Sequence, residues 1–138
     1  MKVLILGGTA EARALAEAFV AAGIPVLSSL AGRVSHPRLP AGEVRIGGFG
    51  GAAGLAGFLR SNGITRVVDA THPFAIRVST NAAEACTQAG VPLLRLVRPG
   101  WENEPAASRW IWVDDHDEAA WQAARLGRRV LLTTGRQT

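Results

Sequence analysis

A chain of 138 residues, 48% hydrophobic and 19% charged, fits one domain and can bury about two-thirds of the surface its unfolded form exposes. Its net charge of +4 rests almost wholly on arginine, Lys2 being the only lysine, and arginine suits bidentate capture of phosphates and carboxylates. No apolar run nears the roughly 20 residues of a membrane helix, no arginine cluster interleaves with aromatics as nucleic-acid binding requires, and no C-x-x-C or H-x-x-x-H spacing offers a metal site.

Met1 leads straight into a strand, with no basic region or cleavage site of a signal peptide. The single cysteine, Cys86, has no internal disulfide partner. Both features make a cytoplasmic location the expectation. Small anionic molecules are the expected partners, rather than nucleic acid or membrane.

The N-terminal stretch Val3–Leu6 is a continuous apolar run of strand length, as in a parallel strand covered on both faces. Gly7 and Gly8 follow, then Thr9 as N-cap of a helix over 10–22. Helix N-termini attract anions, phosphates above all. The full G-x-G-x-x-G fingerprint is absent, so an ordinary turn whose glycines serve geometry alone stays open beside a phosphate site.

Val26–Leu30 reads as the second strand, ending near Ser28, Ser29 and Arg33. An NAD site places an acidic residue here for the 2′-hydroxyl, whereas serine and arginine suit a 2′-phosphate. NADPH is therefore expected over NADH. Residues 36–40 form a loop, and Glu43–Ile46 a short strand running into Gly47, Gly48, Phe49, Gly50 and Gly51. A helix over 52–62 follows, with Leu55, Phe58 and Leu59 inward.

Arg66–Ala70 reads as the next strand, running into Thr71, His72 and Pro73. Pro73 suits the first position of a helix that continues to about Ala89. Its apolar face would carry Phe74, Val78, Ala82 and Ala85, its polar face Arg77, Thr80, Asn81 and Glu84. Leu93–Val97 and Trp110–Val113 read as strands, Glu118–Leu126 as a helix, and Arg129–Leu132 as a final strand. Repeated strand–helix alternation predicts an α/β fold: a three-layer Rossmann-like (flavodoxin-like) open parallel sheet with helices on both faces.

Taken together, Leu6-Gly7-Gly8-Thr9-Ala10-Glu11-Ala12-Arg13, Ala31-Gly32-Arg33, Gly47-Gly48-Phe49-Gly50, Asp69-Ala70-Thr71-His72-Pro73-Phe74-Ala75 and Thr133-Thr134-Gly135-Arg136 resemble the precorrin-6A reductase family. The resemblance runs over all 138 residues. It implies hydride transfer from NADPH to a ring double bond of precorrin-6A, giving precorrin-6B, in cobalamin biosynthesis. The related anaerobic branch reduces a cobalt-containing analogue. Family members carry a second α/β domain of comparable size. Residues 1–138 are thus expected to be an NADP-binding Rossmann-like domain, the substrate-completing domain after 138 being absent and the chain alone inactive. Contacts with other corrin-pathway enzymes are also implied.

On this reading Gly7, Gly8 and Thr9 meet the pyrophosphate, and Ser29 and Arg33 the 2′-phosphate. Gly47, Gly48 and Phe49 with Thr71 and His72 flank the ribose and nicotinamide. His72 is the candidate proton donor, against a structural cap before a proline, with water or the substrate's own carboxyl groups as other donors. Arg77, Arg98 and Arg136 are candidates for the substrate carboxylates, against plain surface residues. No metal ligand is expected. Cys86 reads as core, and the four tryptophans as packing within this domain or under the expected second one, with exposure at a truncated interface as the alternative. A short-chain reductase would need a Tyr-x-x-x-Lys pair, and the chain has no tyrosine. An NADP-binding module that does no chemistry remains the alternative. An FMN domain fits less well, lacking the second phosphate.

Overall fold

The computed structural model describes residues 1–32, 38–97 and 104–133. Two compact units, Met1–Arg98 and Pro99–Thr138, divide the chain. In the first, strands β1 (Val3–Leu6), β2 (Val26–Leu30), β3 (Glu43–Ile46), β4 (Arg66–Asp69) and β5 (Leu93–Arg95) form one parallel sheet in the order β3-β2-β1-β4-β5. That is the strand order of a dinucleotide-binding sheet, whereas a flavodoxin-type sheet runs 2-1-3-4-5.

Helix α1 (Ala10–Ala21) packs on one face, where Ala12 and Ala16 meet Val3, Ile5, Val26 and Val68. The alanines bring the helix close, with Leu15 and Phe19 at the margin of the contact. Helices α2 (Gly51–Ser61) and α3 (Ile76–Ala89) cover the other face. Leu55, Leu59, Ala82, Ala85 and Cys86 there enclose Leu4, Leu6, Leu27 and Val67. With both faces covered, β1 is buried at every position, which explains its lack of alternation.

Strand register runs through the last turn of the sheet. Leu6 pairs with Ser29 and with Asp69, Ser29 pairs with Arg45, and Asp69 with Arg95. Paired positions of parallel strands share a face. Arg45, Ser29, Leu6, Asp69 and Arg95 therefore form one row across all five strands, on the α2/α3 side of the carboxyl edge. The chain winds outward from β1 to β3 and returns to β4, so the switch point lies between β1 and β4. In open α/β sheets that crevice takes the ligand.

Element ends differ from the sequence reading in a few places. Helix α3 begins at Ile76 with Ala75 as its cap, not at Pro73. The amide of Ala75 donates to the His72 carbonyl at 2.8 Å, so residues 72–75 close a separate turn first. Phe74 therefore falls outside the helix and is 88% exposed, and Val78 is 39% exposed. The buried face is Ala82, Ala85 and Cys86.

In the second unit a short 3₁₀ turn (Ala107–Arg109) precedes helix α4 (His116–Leu126). Asp115 caps α4, its Oδ1 accepting from the Glu118 amide at 2.8 Å, while Glu118 Oε2 accepts from the Asp114 amide. This reciprocal cap starts the helix two residues before the expected Glu118. The strands expected at Trp110–Val113 and Arg129–Leu132 do not form. A strand needs a neighbour for its backbone groups, and no described residue of this unit provides one. Trp110, Trp112 and Trp121 are correspondingly exposed, Trp110 and Trp112 meeting with ring centroids 5.8 Å apart and Arg125 lying 4.4 Å over Trp121. Trp101 lies outside the described residues.

Candidate functional site

The carboxyl edge is held together by backbone bonds that continue the ladder past each strand. Gly7 N donates to Ser29 O, Gly47 N to Leu30 O, Ala70 N to Leu6 O and Leu96 N to Asp69 O, all at 2.8–3.0 Å. The β1 turn then rises to α1. Gly8 adopts φ +117°, which a side chain rarely tolerates, and a Cβ placed there would meet nothing within 4 Å. The glycine turn is therefore open above the N-terminus of α1, as a phosphate site requires.

Thr9 closes this turn from below. Its Oγ1 accepts from the Ala12 amide at 3.1 Å and donates to the Ala70 carbonyl at 2.8 Å. The hydroxyl has one proton, and Ala70 receives it. What Thr9 can offer an anion is its backbone N–H.

On the β2–β3 side the charged group is Arg45. Its Nη1 donates to Ser29 Oγ at 3.1 Å and to the Gly47 carbonyl at 2.9 Å, and Nη2 donates to the Gly48 carbonyl at 3.1 Å. The guanidinium lies 3.9 Å over the Phe49 ring and 5.1 Å from Phe58, which meet edge to face. Ser29, itself buried, thus works through Arg45. The glycine-rich turn 47–50 is wrapped round a fixed cation. An adenosine 2′-phosphate calls for such a group, so the residues present fit an NADP-type cofactor. Arg33, expected to fill this role, lies outside the described residues, as do Arg98 and Arg136.

On the β4 side Asp69 Oδ1 accepts from the Thr71 amide at 3.1 Å and from Thr71 Oγ1 at 2.6 Å. This turn sets Thr71 at the rim. The exposed His72 follows, its Nδ1 accepting from the Phe74 amide at 3.3 Å and its ring 5.0 Å from that of Phe74. Neutral His72 therefore carries its proton on Nε2. Arg77 stands exposed in the first turn of α3. The structure thus brings Gly7, Gly8, Thr9, Ser29, Gly47, Gly48, Phe49, Thr71 and His72 to one edge. No group of three or more metal-ligating side chains occurs among the described residues.

Comparison with known proteins bears on what this edge serves. A family model described as precorrin-6x reductase CbiJ/CobK matches residues 2–138. The chain belongs to that family. It is 52% identical over 137 residues to a precorrin-6A reductase of Rhodococcus erythropolis, covering 99% of this chain and 55% of the relative. A cobalt-precorrin-6A reductase of Salmonella typhimurium is 35% identical over 141 residues, covering 96% of this chain and 51% of the relative. A solved CobK precorrin-6A reductase superposes with a TM-score of 0.74 at 43% identity, over 77% of this chain and 42% of that one. The NADPH complex of leucoanthocyanidin reductase from Vitis vinifera, with a TM-score of 0.54 at 19% identity, shares the fold. The chain spans about half the length of the curated relatives it matches.

For this precorrin-6x reductase family member, sequence reasoning missed two residues. Arg45 was readable as a lone charge in strand β3, two residues before a glycine-rich turn, but its stacking on Phe49 needs the fold. Asp69 sits in the D-A-T-H-P-F-A segment, yet no role attached to it. Its burial and its register with Arg95 were invisible in one dimension.

Proposed function

We propose that the protein serves in the reduction of precorrin-6A to precorrin-6B, its first unit binding NADPH along the carboxyl edge of the sheet. The observation that carries this reading is the open glycine turn at α1 on the same carboxyl edge as the anchored Arg45. Names printed for the relatives support the substrate, and the higher identity to the Rhodococcus protein favours the cobalt-free substrate over its cobalt analogue. The chain's share of its relatives' length supports reading it as the cofactor-binding part of the activity, with turnover by this chain alone not expected.

Bound NADPH would supply the hydride. The chain's own residues position it. Gly7 and Gly8 let the backbone approach the pyrophosphate, with the N–H groups of α1 aimed at it. Arg45, with Arg33, binds the 2′-phosphate, and Thr71 and His72 flank the ribose and nicotinamide. Such positioning supplies much of the rate in hydride transfer. In its imidazolium form His72 is the chain's candidate for returning a proton to the product. Arg77, Arg98 and Arg136 are the candidates for the substrate's carboxylates.

Titration of the chain with NADPH and NADH, followed by nicotinamide fluorescence, tests the reading. NADPH binds more tightly, and the preference collapses in Arg33→Ala or Arg45→Ala. Equal affinities for the two cofactors, or binding of neither, refute the assignment.

A further inference from the structure

Beside the glycine turn, within the first unit, lies a second concavity that the roles above leave unused. It has a volume of about 380 Å³ and lies between the end of β4, the length of β5 and the first two turns of α3. Ile76, Ala83 and Leu93 give it apolar walls, while Asp69, Ser79, Thr80 and Arg95 contribute polar groups.

Two polar atoms among them are buried without a hydrogen bond. Asp69 is 2% exposed; its Oδ1 is taken by Thr71, but Oδ2 has no donor. Arg95 Nε forms an ion pair with Oδ2 at 3.8 Å, too long for a hydrogen bond. Ser79 Oγ, one turn into α3, is buried and equally unpartnered. Buried polar atoms are rarely left so, because stripping their water costs free energy that only a partner returns. Water alone could serve, yet the volume far exceeds the about 30 Å³ of one water molecule.

The set of groups defines what would fit. A buried carboxylate oxygen wants an N–H donor, while the Ser79 hydroxyl and the Arg95 guanidinium can donate to a carbonyl. Apolar walls on either side suit a flat ring. A primary carboxamide on an aromatic ring answers each requirement at once, offering two N–H donors and one acceptor in a plane. We infer that this cavity receives the nicotinamide carboxamide, its NH₂ on Asp69 Oδ2 and its carbonyl toward Ser79 and Arg95. The inference rests on the cofactor reading above and adds Asp69, Ser79 and Arg95 to the site. It also explains the row across the sheet: the adenosine end meets Arg45 on β3, and the nicotinamide end meets Asp69 and Arg95 on β4 and β5.

The test uses the 138-residue chain and calorimetric titration with three probes: NADP⁺, its 3-acetylpyridine analogue, which replaces the NH₂ by methyl, and adenosine 2′,5′-bisphosphate, which lacks the ring. Wild-type protein binds NADP⁺ about tenfold more tightly than the analogue, the loss expected for one donor to a buried carboxylate. Ser79→Val, which fills the cavity and removes the hydroxyl, weakens NADP⁺ about tenfold and leaves the bisphosphate unchanged. Asp69→Asn abolishes the discrimination between NADP⁺ and the analogue. Circular dichroism of both variants checks the fold, and Ser79→Val alone suffices should the Asp69 variant not fold. If the bisphosphate binds but NADP⁺ is indifferent to Ser79→Val, the cavity holds only water and the inference fails while the cofactor reading stands. Equal losses for both ligands also overturn it, since the effect is then not confined to the ring. If neither ligand binds wild-type protein, the cofactor reading fails and the inference with it.

Discussion

Arg45 donates to the hydroxyl of Ser29, the residue directly beside it in the β2–β3 register, at 3.1 Å. Two further bonds to the carbonyls of Gly47 and Gly48 leave the guanidinium little freedom. Its charge is therefore placed before any ligand arrives, and little side-chain entropy is lost on binding. Arg45→Ala should lower NADPH affinity about 10- to 100-fold, the range for hydrogen bonds to a charged group, and leave NADH nearly unaffected. Arg45→Lys keeps the charge but cannot make the same three bonds, so it should fall between.

Thr9 is expected to matter for stability more than for recognition. Thr9→Val removes both the cap on Ala12 and the bond to Ala70 that ties α1 to the end of β4. A loss of about 1–2 kcal/mol follows from the cap alone. Urea unfolding should show it, and Thr9→Ser should restore most of it. A Thr9→Val protein as stable as wild type contradicts this account.

Gly54 lies in α2 against the turn that carries Phe49. A Cβ there would fall inside the van der Waals shell of the Phe49 carbonyl oxygen and stand 2.9 Å from its carbon. Gly54→Ala should therefore push the turn outward, at about 1–3 kcal/mol. It should also weaken the stacking of Phe49 on Arg45, detectable as reduced NADPH affinity. Gly57→Ala, on the same helix with open space around it, is the control and should be neutral or mildly stabilising.

Burial in the α2/α3 core pushes the Cys86 thiol up from its ordinary value of 9.0. The unfolded chain releases the thiol proton at the ordinary value, while the native state holds it to higher pH. This contribution is complete below pH 9.0 and is lost as pH rises above it. Cys86→Ala should flatten the decline in urea midpoint on the alkaline side. Native protein should resist iodoacetamide at pH 8 until urea unfolds it.

The sheet was legible because its central strand is apolar throughout and its turns are glycine-rich. Val3–Leu6 with Gly7 and Gly8 needed only local rules, and so did Cys86 as core. The second unit was misread because Trp110–Val113 and Arg129–Leu132 have strand composition, and composition cannot say whether a neighbouring strand exists. Phe74 was misplaced for another reason: the turn over 72–75 competes with the helix for Pro73, and sequence periodicity does not see that hydrogen bond. At the site, single-chain reading named the glycines and Thr71 as candidates but not Arg45 or Asp69. Their partners lie 16 and 26 residues away, on Ser29 and Arg95, and only register brings them together.

That register has a consequence for how the site comes into being. Neighbouring side chains on a strand point to opposite faces, so a slip of one residue would send Arg45 or Asp69 to the α1 side. The recognition groups cannot assemble on a mispaired sheet. A ligand spanning from Arg45 to Arg95 joins the two outermost strands and binds only the correctly aligned chain. Each tenfold excess over its dissociation constant then adds about 1.4 kcal/mol to the native state as a whole. If the proposed cofactor spans this row, its supply would also favour the correct strand alignment.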